Sequence, residues 1–150
     1  MPVDENAFMH ALGAINPQPC AFGKVILSRH CACSKVNKRY AAEREMIDCR
    51  VAAERERCGE VLDKLRQNSA FALKLAHITL PLPHGPEMRV QYGGLQGLQL
   101  LVDGSDVVAD ISVLITAALE KFDSIENFPY SKIVQSVASC EVRKKRPTGD

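Results

Sequence analysis

No stretch of this chain approaches the roughly 18 to 20 consecutive apolar residues that a membrane-spanning helix needs, so membrane insertion is not expected. Its first residues, MPVDENAFMHALGAINPQPC, place acids early and lack a basic segment leading into an apolar core. Neither a secretion signal nor an anchor is therefore expected, and the expected location is cytoplasmic. G-x-S-x-G, H-E-x-x-H and a phosphate loop ending in Gly-Lys-Ser/Thr are all missing, which argues against an autonomous enzyme. A dominant charge of one sign is missing too: at a net +1 the chain is not expected to wrap nucleic acid. Six cysteines in 150 residues fall short of a disulfide scaffold, and a reducing compartment keeps simple thiols reduced. Metal chemistry becomes the leading explanation for them.

What is present is the composition of an ordinary globular domain, 46% hydrophobic and 25% charged, at about the length of one domain. The charges are unevenly placed. Arg29 to Cys58 carries eight basic residues against five acids, a formal +3, whereas Gly59 to Val142 carries six against ten, a formal −4. Four of the six cysteines fall in the basic segment, where cations favour thiolate over thiol and offset an anionic centre.

The pattern reads as a mainly α domain of about five helices, with room for a short two-stranded β ribbon. Residues 1–23 read as an N-terminal arm with a short helix near Ala7 to Leu12, residues 24–142 as the helical metal-cluster domain, and residues 143–150, including RKKR, as a flexible basic tail. Lys24 to Ser28 is apolar enough for a strand or a buried connector. Ser34 followed by KVNKRYAAEREMI predicts a capped helix from about Lys35 to Ile47. Val51, Cys58, Val61, Leu62 and Leu65 form the stripe of a second helix that Asp48 would cap. Three prolines in ITLPLPHGP predict an extended crossing over Ile78 to Pro86. Met88, Val90 and Tyr92 alternate with polar residues like a short strand able to pair with Lys24 to Ser28. Gly93, Gly94 and Gly97 signal a turn or close helix packing in preference to a nucleotide loop. Helices are expected over Asp106 to Phe122, capped by Ser105 or Asp106, and after Asn127, with Pro129 in its first turn.

Cys31, Cys33, Cys49 and Cys58 form C-x-C-x15-C-x8-C, enough thiolates for a [4Fe-4S] cluster or a tetrahedral metal site. On one continuous helix Cys49 and Cys58 would point about 180° apart, so Cys49 must lie at or before the start of the helix bearing Cys58. Gly59 would then leave room beside Cys58 for a bulky centre. Zinc usually draws on C-x2-C to C-x4-C pairs, and neither C-x-C nor C-x8-C is one. The iron-sulfur reading therefore leads, zinc follows, and four buried thiols acting as small hydrophobes are the plain alternative. Cys20 and Cys140 are expected to pack as ordinary core residues. His30 reads as a solvated neighbour, and the spacing of His77 and His84 is not that of a helical metal pair.

With all four positions filled by thiolates no site is open for Lewis-acid work, so the expected role is electron transfer or redox sensing. Arg29, Lys35, Arg39 and Arg50 would offset the charge of the centre or receive an acidic protein redox partner. A zinc-stabilised interaction module, a cluster-controlled transcription regulator using the basic Lys35 to Arg44 helix, and thiol-disulfide exchange through Cys31 and Cys33 are the alternatives.

Overall fold

The computed structural model describes residues 19–41, 44–75 and 80–141. In chain order the elements are α1 (Gly23–Leu27), β1 (Val36–Ala41), β2 (Arg44–Cys49) and α2 (Ala52–Ser69), followed by α3 (His84–Met88), a π-helical turn (Arg89–Gly93), α4 (Gly94–Asp103), α5 (Ile111–Phe122), a 3-10 turn (Ile125–Asn127) and α6 (Tyr130–Ser139). The α3, π and α4 segments run on without a break, which leaves five helical rods and one antiparallel ribbon. The domain is mainly α, as its pattern predicts. The helix expected near Ala7 to Leu12, the RKKR tail and His77 lie outside the described residues.

The long helices form where apolar residues recur at helical spacing. On α2, Cys58, Val61, Leu62 and Leu65 are buried; on α5, Ile111, Leu114, Ile115 and Ala118 are buried. Phe22, Val25, Met88, Leu95, Leu98, Ile133 and Val137 join them in one core. Each large aliphatic side chain removed from water contributes about 1.5–3 kcal/mol. The Asp110 carboxylate caps α5, accepting from the Ser112 N–H at 3.0 Å and the Val113 N–H at 3.5 Å, so the cap lies four residues beyond the expected Asp106. The helix begins at Ile111, where burial begins.

The three glycines serve packing. A Cβ on Gly93 would lie 2.8 Å from Val137 Cα, and one on Gly97 would lie 2.9 Å from the Ile133 carbonyl oxygen. The α4 rod and its π turn therefore lie directly on the backbone of α6. Gly104, at φ +80°, ends α4 in the left-handed region, the usual helix-stopping use of glycine.

Two local expectations are overturned. Lys24 to Ser28 and Met88 to Tyr92 are not paired strands but helical. The alternation from Met88 to Tyr92 misleads because a polar residue, Gln91, is itself buried. Gln91 donates to Glu87 Oε2 at 2.6 Å and accepts the Val25 N–H at 3.4 Å, while Glu87 receives Arg66 through two 2.9 Å bonds. A buried polar group satisfied in this way occupies a core position that a hydrophobicity pattern assigns to solvent.

The segment expected to be a helix from Lys35 to Ile47 is instead the ribbon, with Val36 opposite Cys49, Lys38 opposite Ile47 and Ala41 opposite Arg44. Its helix-forming residues yield to tertiary burial. The pleat turns Ile47 and Cys49 to one face and Met46 to the other, and all three are buried; the far edge of β2 is bridged by Pro19 opposite Asp48, and the Cys20 N–H donates to the Ile47 carbonyl at 3.2 Å. Propensity of a few tenths of a kcal/mol per residue does not outweigh such burial.

Candidate functional site

One small cavity lies where the ribbon meets the first turns of α2 and α5. Its lining includes Cys20, Cys33, Cys49 and Cys58, together with Lys35, Glu54, Arg55 and Ser112. Each thiol arrives on a different segment. Cys20 comes from the strand-like stretch that pairs with β2, and Cys33 from the loop between α1 and β1. Cys49 is the last residue of β2, and Cys58 lies in the second turn of α2. Glu54 and Arg55 precede Cys58 by four and three residues, the spacing that puts side chains on one helix face.

The four sulfurs act on one another electrostatically in every pairing: Cys20 with Cys33 and Cys49, Cys33 with Cys49, and Cys58 with all three. Burial pushes the Cys20 thiol up to about 11, opposed in part by the Phe22 backbone N–H that points at its sulfur. Burial pushes Cys58 up to about 12; the nearby thiols raise it further and the Arg57 guanidinium pulls it down. Cys33 is raised by burial, against the backbone N–H groups of Lys35 and Ser112, which favour its thiolate. Ser112 lies in the first turn of α5, where free amides carry partial positive charge. The Cys49 Sγ donates to the Val51 carbonyl at 3.3 Å. Without a cation, Cys20, Cys33 and Cys58 are protonated at neutral pH and make poor nucleophiles.

Of the residues expected to share a site, the structure brings Cys33, Cys49 and Cys58 together and sets Cys31 elsewhere. Cys31 is buried; it is not part of the cavity lining, and its thiol is pushed up to about 12 by burial and by the nearby Cys140. The x in C-x-C explains the separation, because adjacent alternate residues of a loop need not face the same way. Cys20, expected to pack as an ordinary core residue, takes the place of Cys31, so the spacing on the cavity is C-x12-C-x15-C-x8-C. No sequence rule points to Cys20; the signal is tertiary, the pairing of Pro19 and Cys20 with β2. Cys49 does precede the helix bearing Cys58, as the nine-residue spacing demands. Gly59 contributes no room to the cavity: a Cβ there would meet nothing within 4 Å.

The expected ring of cations is also redistributed. Lys35 lines the cavity. Arg39 pairs with Asp48, and Arg50 donates to the Ser34 carbonyl oxygen. Arg29 is exposed, at φ 66°. Arg55 and Arg57, not singled out by the spacing, are the guanidiniums near the thiols. Arg57 donates to Glu54 Oε1 at 3.2 Å, and Ser112 Oγ donates to the same oxygen at 2.6 Å. Glu54 Oε2 and Arg55 Nε are buried with no hydrogen-bond partner among the described residues.

The free volume between the thiols is about 10 Å³, near the minimum for a single water. Among the described residues no group of three or more His, Cys, Asp or Glu side chains could hold a metal ion. A second, larger cavity of about 560 Å³ borders the first. Its wall includes Ala21, Leu27, Met46, Ile47 and Leu82 beside Arg66 and Glu87, and Cys20 belongs to both.

No family model matches the chain, and neither a curated protein nor a solved structure is similar to it. None of the described helices is long and apolar enough to cross a membrane.

Proposed function

We propose that Cys20, Cys33, Cys49 and Cys58 hold a thiolate-ligated iron-sulfur cluster and that the protein works in electron transfer or redox sensing. The observation that carries this reading is the meeting of four thiols from four separate segments on one cavity, with backbone N–H groups aimed at Cys20 and Cys33. Hydrogen bonds to cluster sulfurs and nearby positive charge are what a protein uses to hold and tune such a centre. Tetrahedral zinc at about 2.3 Å from each sulfur would require sulfurs roughly 3.8 Å apart; no group that could hold a metal ion is present among the described residues, so either metal would have to draw the thiols into a new arrangement.

A structural zinc ion is the second reading, favoured by the 10 Å³ free volume, which a cluster would have to enlarge by moving the ribbon. The regulator reading loses support, because the basic segment that would serve as a recognition helix is β1 and the start of β2. Thiol-disulfide exchange through Cys31 and Cys33 loses support as well, since burial raises both thiols. The basic face near Lys35 and Arg55 suits an acidic protein partner in a reducing compartment such as the cytoplasm.

Anaerobic purification with an absorption spectrum and iron, sulfide and zinc analysis tests the reading. A brown protein with iron and sulfide in equal amounts, bleaching on reduction, supports it. Stoichiometric zinc alone transfers support to the second reading, and the absence of all three after reconstitution retires both.

A further inference from the structure

We propose that the larger cavity binds a small amphipathic monocarboxylate, its carboxylate held by Lys24 and Gln91 and its hydrocarbon chain laid against the apolar wall. The proposal does not depend on whether the thiols hold metal. About 560 Å³ of space lies between α1, β2, Arg66 of α2 and the α3 rod, within the ~300–1,000 Å³ range of small-molecule sites. Leu27, Met46, Ile47 and Leu82 form its apolar wall, which suits a hydrocarbon chain and leaves orientation to the few polar groups.

Those polar groups differ in what they already bind. Arg66 and Glu87 line the cavity but satisfy each other through two 2.9 Å bonds. Gln91, only 2% exposed, gives one amide hydrogen to Glu87 Oε2 at 2.6 Å and accepts the Val25 N–H at 3.4 Å. A carboxamide carries two N–H donors, so the second has no acceptor among the described residues, whereas a buried donor is normally paired. Lys24 also lines the cavity. Its ammonium has no carboxylate partner among the described residues and meets His84 Nδ1 at 3.5 Å. Because Val25 follows Lys24 in the chain, the spare amide hydrogen and the ammonium serve the same end of the cavity. Two donors without an acceptor, one of them cationic, call for an anionic oxygen. The ionisable wall residues, Lys24, Arg44 and Arg66 against Glu45 and Glu87, carry a formal +1, which one carboxylate neutralises.

The experiment is a calorimetric titration of the full chain with decanoate, decylammonium and decanol, each below its micellar concentration. One hydrocarbon chain under three headgroups separates charge from apolar burial. Decanoate is expected to bind the parent saturably, at least tenfold more tightly than decylammonium or decanol. Lys24→Gln, at an exposed position, is expected to erase that preference while decanol binding stays as in the parent. Leu27→Trp, which fills the apolar wall, is expected to weaken all three ligands at least tenfold. Lys38→Gln, exposed on the ribbon and outside the lining, is expected to match the parent. If Leu27→Trp does not fold, Lys24→Gln carries the test. A parent that binds no decanoate, or binds decylammonium as tightly, overturns the proposal, and so does a Lys24→Gln variant that keeps the preference for the carboxylate. Metal content after reconstitution is read separately, so failure here leaves the reading of the thiol cavity where it stands.

Discussion

Ser112 lines the thiol cavity beside Cys33, and its backbone N–H favours the Cys33 thiolate against the effect of burial, so the first turn of α5 is built into the wall of the cavity. The same residue donates its hydroxyl to Glu54 Oε1 at 2.6 Å, which ties that turn to α2. The site is thus a junction of helix ends and a ribbon, and changes to any of them should be felt there.

The sharpest separation is between Cys20 and Cys31. Cys20→Ser should reduce metal occupancy at least tenfold, whereas Cys31→Ser should leave it unchanged. Metal analysis of the two variants after identical reconstitution checks this. The reverse outcome would restore the set drawn from sequence spacing alone.

Metal affinity should rise steeply with pH. Burial raises the thiols of Cys20, Cys33 and Cys58, so each must release a proton when it becomes a ligand. Between pH 6 and 8, all three remain protonated in the free protein. The apparent affinity for cobalt(II) should therefore increase by at least about three orders of magnitude per pH unit by proton linkage. A flat profile, followed by the charge-transfer band, would mean that these sulfurs are not the ligands.

Asp110 caps α5 and also accepts the Ser34 N–H at 3.2 Å. Asp110→Ala should cost about 1 kcal/mol in urea unfolding. Burial alone would raise its carboxyl, but hydrogen bonds from Ser34, Val113 and Ser112 outweigh it and hold the group below the ordinary 3.8. With the folded value depressed, its stabilisation is present above about pH 4 and is lost as pH falls through the folded value. Asp110→Asn should keep most of the cap and lose that acid dependence.

Much of this was legible in the sequence, and the exceptions have common causes. The stripes of α2 and α5 and the helix after Pro129 depend on apolar residues three and four apart, which report burial directly. The ribbon was not legible, because Lys35 to Ile47 is rich in helix formers and what holds it extended is Pro19 and Cys20 along β2. That same pairing brings Cys20 to the cavity, so the misread element and the missed site residue have one origin. Cys33, Cys49 and Cys58 were legible as candidates from their spacing, C-x15-C-x8-C.

Two glycine-to-alanine changes should act with opposite signs. Gly97→Ala sets a Cβ against the backbone of Ile133 at 2.9 Å and should destabilise by about 1–3 kcal/mol. Gly59→Ala meets nothing within 4 Å inside α2 and should stabilise by about 0.5–1 kcal/mol through helix propensity and unfolded-chain entropy. Chemical denaturation of both variants provides the check.

Arg66→Met leaves the 3% exposed Glu87 without its bidentate partner and should cost about 3–5 kcal/mol. Replacing both, as Arg66→Met with Glu87→Leu, should recover a large part of that loss. A double variant no more stable than the single one would mean that Gln91 and Val25 depend on the carboxylate more than on the ion pair.

The four cavity thiols are spread from residue 20 to residue 58, and the amide that serves Cys33 waits at residue 112. A partly made chain can present cysteines but not this arrangement of them. Tight capture of a cation would therefore act as a checkpoint, passed only by molecules whose ribbon, second helix and fifth helix have already come together.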